Sequence, residues 1–154
     1  MLKPLALLFS ITIMTTAADL PNKKYLNLAA IKTMVATAEA ESMKRNVHVS
    51  ICIVDESGNL LFFQKGDRAG MNTIAFAQKK ARYASLYRRP SKAAADQLKN
   101  GDMQVLAFPD GFPNQGGLPI QVDGETIGGI GVSGASSDVD EAIGQAAIDA
   151  LLKP

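Results

Sequence analysis

The residues Leu28, Ile31, Val35 and Ala38 recur at three- and four-residue intervals, while Lys32, Glu39 and Glu41 occupy other faces. This spacing predicts an amphipathic helix capped by Asn27 and ending near Arg45 and Asn46. The period then changes to two. Val47, Val49, Ile51 and Ile53 fall on one face of a predicted strand, and His48, Ser50, Cys52 and Val54 on the other. Asp55-Glu56-Ser57-Gly58 is a turn cluster, and the Leu- and Phe-rich run from Asn59 to Gln64 completes a hairpin.

Helical spacing resumes from Thr73 to Tyr87, with Ile74, Ala77, Ala81 and Ala84 on one stripe. Pro90 closes that segment, and Ser91 is placed to cap a short helix from Lys92 to Lys99, stopped by Asn100-Gly101. The Pro- and Gly-rich stretch from Ala107 to Gly117 reads as a loop. Leu118 to Val122 and Glu125 to Val132 read as strands joined by Asp123-Gly124, a type I′ hairpin signal. A last helix opens at Ser137, its first turn enriched in Asp138, Asp140 and Glu141, with Val139, Ile143, Ala147 and Leu151 on its buried stripe. Consecutive hairpins with helices between them predict an α+β fold, an antiparallel sheet flanked by helices in a single domain.

The N-terminus departs from these periods. Lys3 precedes an apolar run from Pro4 to Met14, and Thr15-Thr16-Ala17-Ala18 supplies small residues, so residues 1–18 read as a secretory signal and 19–154 as the mature domain. The run is about a dozen residues, short of the roughly 20 that span a bilayer, so the expectation is an exported protein, periplasmic or secreted, that is not embedded in the membrane. The whole chain carries 16 basic and 15 acidic residues, and loss of Lys3 would balance them. Such a composition disfavours a nucleic-acid-coating role. One cysteine and one histidine exclude an internal disulfide framework and a structural zinc site of the usual kind.

Gly129-x-Gly131-x-x-Gly134 has the form of a dinucleotide fingerprint, but no second parallel strand follows to carry a ribose-binding acid. These glycines read instead as positions where a helix or ligand lies close to the strand backbone. His48 is a candidate ligand or base, though strand histidines are commonly just partly exposed side chains. Cys52 has no neighbouring cation in sequence and reads as an inert thiol. No acidic residue lies between Asp67 and Asp96, whereas Arg68, Lys79, Lys80, Arg82, Arg88, Arg89 and Lys92 all do, interleaved with Phe76, Tyr83 and Tyr87. A local cationic patch of this kind suits an anionic ligand with an apolar body, or simply forms a solvated face.

A set of segments resembles the GlcG/HbpS-like family over roughly residues 26–152. They are Val49-Ser50-Ile51-Cys52-Ile53-Val54-Asp55 with Gly58-Asn59-Leu60, then Gly66-Asp67-Arg68-Ala69, Lys80-Ala81, Pro90-Ser91, Gly116-Gly117-Leu118-Pro119-Ile120 and Ile127-Gly128-Gly129-Ile130-Gly131-Val132-Ser133-Gly134. The resemblance implies a profilin-like topology, homo-oligomers and, for some exported relatives, haem binding and signalling through a membrane sensor partner. Ser91 stands where the family often has threonine, and Gly66-Asp67-Arg68-Ala69 replaces a more usual Asp-Gly-Ala segment.

Haem is an apolar plate with two carboxylates, so the expected site is an apolar cleft with a basic rim and one axial donor. Phe62, Phe63 and Phe76 are the candidates for the cleft. Lys80, Arg82 and Arg88 are candidates for the rim, and His48, Tyr83, Ser91, Met71 or Met103 for the donor. Without a Cys-x-x-Cys-His motif, binding would be non-covalent. The alternative is a small-molecule enzyme or accessory domain acting on a carboxylate or corrinoid-like metabolite at the same basic pocket. No catalytic constellation is identifiable in the sequence.

Overall fold

A computed structural model of the chain describes residues 18–153, so the predicted leader lies outside the described residues except for Ala18. The elements follow in the order α1 (Leu28–Lys44), β1 (Ser50–Asp55), β2 (Leu60–Lys65), α2 (Asn72–Tyr87), α3 (Lys92–Lys99), a 3-10 turn (Met103–Ala107), β3 (Gly117–Val122), β4 (Glu125–Ser133) and α4 (Ser137–Leu152). The strands form one antiparallel sheet in the order β2-β1-β4-β3. Helices α1 and α4 pack together on one face of it, and α2 covers the other. The fold is single-domain α+β. No helix of the described residues is long and apolar enough to cross a membrane.

The local reasons match the sequence at several points. Asn27 Oδ1 accepts from the Ala30 amide at 2.8 Å, capping α1. Asp123 and Gly124 take φ of 51° and 81°, the left-handed pair that a type I′ turn requires. Asp55 holds the first hairpin by accepting from the amides of Ser57 and Asn59. Within α1 the stripe also includes Met34, completely buried, whereas Leu28 is largely exposed.

Two capping expectations are corrected. Ser91 makes no capping bond at α3, because its hydroxyl is engaged elsewhere. The cap position of α4 is Ser136 rather than Ser137, and it is Asp140 that reaches back to the Ala135 amide.

The central strands β1 and β4 are buried on both sides, which settles where β1 directs its residues. Val49, Ile51 and Ile53 join Ile130, Val132 and Ile143 in the main core beneath α1 and α4. Cys52 and Val54 lie under α2 with Ala77 and Ala81. The face that carries Ser50 and Cys52 therefore opens neither to solvent nor to a ligand along the body of the strand. His48 precedes the strand and is exposed.

Helix α2 touches β3 and β4 almost backbone to backbone. A Cβ added at Gly131 would lie deep inside van der Waals contact of the Ala77 carbonyl, one at Gly129 would meet the Ala81 carbonyl, and one at Gly117 the Lys80 carbonyl. The pseudo-fingerprint glycines are thus packing positions, as their context suggests. Gly131→Ala is expected to cost about 3 kcal/mol or more, because neither backbone can withdraw, whereas Gly101→Ala, with open space around it, costs only the left-handed penalty of roughly 1–2 kcal/mol. Urea unfolding of the two variants checks the contrast.

Burial under α2 pushes the Cys52 thiol up to about 12. The native thiol should stay unreactive towards Ellman's reagent at pH 8 and become reactive only on unfolding. Since the unfolded chain releases this proton first, Cys52 should withdraw stability as pH rises above the ordinary thiol range, by about 1.4 kcal/mol per pH unit until its folded value is reached. Cys52→Ser unfolding curves at high pH should lack that slope.

Candidate functional site

Lys80 sits on α2 between Ala77, Ala81 and Ala84, on the helix face turned to the sheet. Its ammonium is 1% exposed and donates to the Val132 carbonyl and to Asp140 Oδ2, both at 2.9 Å. Asp140, 2% exposed, accepts from the Ala135 amide through Oδ1 at 2.9 Å. Burial pushes the Asp140 carboxyl above its usual range, against the opposing pull of Lys80 and the Ala135 and Gly134 amides. Gly116 leaves the space for the pair, since a Cβ there would come within 2.9 Å of both Lys80 Nζ and Asp140 Cβ. Lys80 is therefore not a rim cation. Its charge is committed to fastening α2 to α4.

The other predicted residues disperse. Arg82 grips Asp110 through two bonds of 3.0 and 3.1 Å and donates to the Gly58 carbonyl at 2.7 Å. The Asp110 carboxylate raises the guanidinium pKa, and Arg82 in turn holds the Asp110 carboxyl below its usual range. Tyr83 is buried beneath α3, stacked on Tyr87 with ring centroids 4.7 Å apart, and cannot reach a ligand from the surface. Arg88 is exposed and takes a left-handed conformation that ends α2. Ser91 is fully buried; its hydroxyl donates to the Asn114 carbonyl and accepts from the Gly117 amide, pinning the Pro- and Gly-rich loop to β3.

The aromatic cleft is also corrected. Phe62 and Phe63 are neighbours on a strand, so they point to opposite faces of the sheet, and Phe76 packs edge-on against Phe112 instead. Met71 and Met103 are exposed.

His48 lies in a separate groove. Asn46, with φ of 53°, turns the chain from α1 towards β1, and the C-terminal ends of α1 and β2 form the walls. The groove measures about 620 Å³ and is lined by the apolar Met43, Val47 and Val49 and by the charged Glu39, Lys65, Asp67 and Arg68. Lys65 leans on the Gly66 carbonyl at 3.0 Å, and Arg68 is exposed. This volume falls within the roughly 300–1,000 Å³ of small-molecule and cofactor sites. No group of three or more His, Cys, Asp or Glu among the described residues is placed to hold a bare metal ion.

A smaller cleft of about 290 Å³ opens at the N-terminal end of α2, lined among others by Asn72, Thr73, Phe76, Ser133 and the Lys80–Asp140 pair. Thr73 and Ser50 share a hydrogen bond of 2.7 Å at its base. The sequence offered one overlooked signal for it. Asp140 stands three residues before Ile143 and Lys80 three after Ala77, so each charge falls on a buried stripe and needs an opposite partner.

A family model described as haem degrading protein HbpS-like matches residues 26–149. The chain is 33% identical to Protein GlcG of Escherichia coli strain K12 over 111 residues, covering 72% of this chain and 83% of that protein. Among solved structures it is similar to a double mutant of Streptomyces reticuli HbpS, with a TM-score of 0.80, 29% identity and coverage of 94% of this chain and 99% of the other. It is also similar to a PduOC:heme complex, with a TM-score of 0.76, 25% identity and coverage of 82% and 95%.

Removing half of the buried pair should be far more damaging than removing both charges. Lys80→Ala is expected to lower stability by about 3–5 kcal/mol, and the double variant Lys80→Met/Asp140→Leu to recover most of it. Equal urea midpoints for the single and double variants would contradict this account.

Proposed function

The chain belongs to the HbpS-like family of haem degrading proteins, and on that premise we propose that it binds haem non-covalently in the groove beside His48. The observation that carries the proposal is the placement of the one histidine of the sequence, exposed, in a groove of about 620 Å³ that Met43, Val47 and Val49 line together with the cations Lys65 and Arg68 and the carboxylates of Glu39 and Asp67. The relative solved as a heme complex supports the same ligand class.

The residues fit the group. A neutral His48 imidazole would ligate the iron, Met43 and Val47 would cover part of the macrocycle, and Lys65 and Arg68 would hold the propionates. They take the rim role that Lys80 and Arg82, bound to Asp140 and Asp110, do not have free. Bound haem would supply one-electron and oxygen chemistry. The groove is open and offers a single imidazole per chain, so the ligand would exchange readily, as handling rather than permanent retention requires.

Export and self-association belong to the same proposal. Residues 1–18 would direct the chain out of the cytoplasm. The exposed Leu20, Tyr25, Leu28 and Leu152 would supply apolar contact for a homo-oligomer.

Titration of the protein lacking residues 1–18 with haemin, followed at the Soret band, tests the reading. Saturable binding is expected, with His48→Ala weakening it by about tenfold or more and changing the band position. Lys65→Glu/Arg68→Glu should weaken it without moving the band. A wild-type titration that never saturates, or a His48→Ala variant identical to wild type, sinks the assignment.

A further inference from the structure

We propose that the cleft at the N-terminal end of α2 is a second binding site, distinct from the His48 groove, for a small free carboxylate with a short carbon chain. Three features converge there. First, α2 is 16 residues long, has no acidic residue in its first turn, and its cap position, Met71, makes no side-chain capping bond. The positive end of the helix therefore faces the cleft without a counter-charge of its own, while the Thr73 and Ile74 amides donate to the Gly70 and Met71 carbonyls.

Second, Ser133 is 4% exposed, and its hydroxyl has no hydrogen-bond partner among the described residues. Its direction follows from the strand. Ser133 shares a face of β4 with Gly129 and Gly131, the positions pressed against the α2 backbone. Its ladder partner is Ser50, which is bonded to Thr73 in the first turn of α2. The Ser133 hydroxyl thus points at the opening of α2, where it lines the cleft.

Third, Lys80 lines the same cleft and spends two of its three N–H donors, on Val132 and Asp140. Asp140 repels an incoming anion less than a free carboxylate would, since one oxygen is held by Lys80 and the other by the Ala135 amide.

These donors suit a carboxylate, and Phe76, held edge-on by Phe112, provides an apolar wall for its carbon chain. The volume, about 290 Å³, lies at the lower end of small-ligand sites and is well short of a haem site.

Propionate, with propionamide as its uncharged isostere, is the probe, read by amide chemical shifts of the protein lacking residues 1–18. Saturable shifts are expected for propionate at Asn72–Ile74 and Ser133–Ala135, and none for propionamide. Ser133→Ala should weaken propionate by roughly three- to tenfold. Asn72→Asp places a carboxylate in the first turn of α2; the variant should fold as stably as wild type and lose at least tenfold in propionate affinity.

Equal binding of propionamide, shifts scattered over the surface, or full propionate affinity in Asn72→Asp would overturn the proposal. Haemin titrations of both variants separate the two sites. Unchanged Soret curves are expected, and a parallel loss of haemin would mean that the cleft serves haem and not a free carboxylate. A wild-type protein that fails to bind haemin yet shows the propionate shifts would sink the haem reading and leave this one standing.

Discussion

The distance between α2 and the sheet governs the rest of the molecule. Alanines at positions 77 and 81 meet glycines at 129 and 131, and a third glycine at 117 accepts the backbone of Lys80. With no side chains between them, the helix and strands are held by close backbone contact, and close-packed interiors transmit such constraints rather than absorb them. The alternate positions of β4, Ile130 and Val132, are then left to build the opposite core with α1 and α4. One strand therefore has a smooth face and a bulky one. The close approach also brings Thr73 to the Ser133 end of β4 and carries the Lys80 ammonium to the Val132 carbonyl.

Polar contacts then fix what packing leaves loose. The Pro- and Gly-rich stretch before β3 is tied down at three points, by Ser91 to Asn114 and Gly117, by Arg82 to Asp110, and by Tyr87 to the Pro109 carbonyl. Residues in the basic stretch of the sequence are thus partly used up in anchoring a loop. Lys79 rests over the Phe112 ring and Arg89 lies over Tyr83 and Tyr87, both as cation–π contacts. Of the charge that looks available for a ligand along the chain, Lys80 is buried and Arg82 is bound to Asp110, while Arg68 and Arg88 stay exposed.

The fold was legible because its elements announce themselves locally. Asn27, the 55–58 turn and Asp123-Gly124 each satisfy backbone groups within a few residues, and the shift from helical to alternating period near Val47 marks a real change of element. The candidate site was legible only in part, since its geometry depends on contacts between distant positions. The chemistry of His48 is evident from its residue type, but its exposure depends on β1 beginning at Ser50. Lys80 and Asp140 are separated by 60 positions, so one read as a ligand-binding cation and the other as a helix-dipole complement. Phe62 and Phe63 are alike in composition and adjacent in sequence, and strand alternation separates them. The position of Ser91 after Pro90 suggests a helix cap, but its hydroxyl serves residues 114 and 117, which lie more than twenty positions away.

The same 60-residue span has a consequence for how the chain matures. β4 is central in the sheet but late in sequence, and the carboxylate that neutralises Lys80 arrives only with the final helix. A nascent chain emerging from the ribosome holds α2 with β1 to pack against but without β3 and β4, and with a lysine whose burial would leave its charge unpaired. Closure of the α2 layer with its lysine both buried and paired therefore waits for residue 140, and any factor that holds the growing polypeptide open until then works with the energetics of this topology rather than against them.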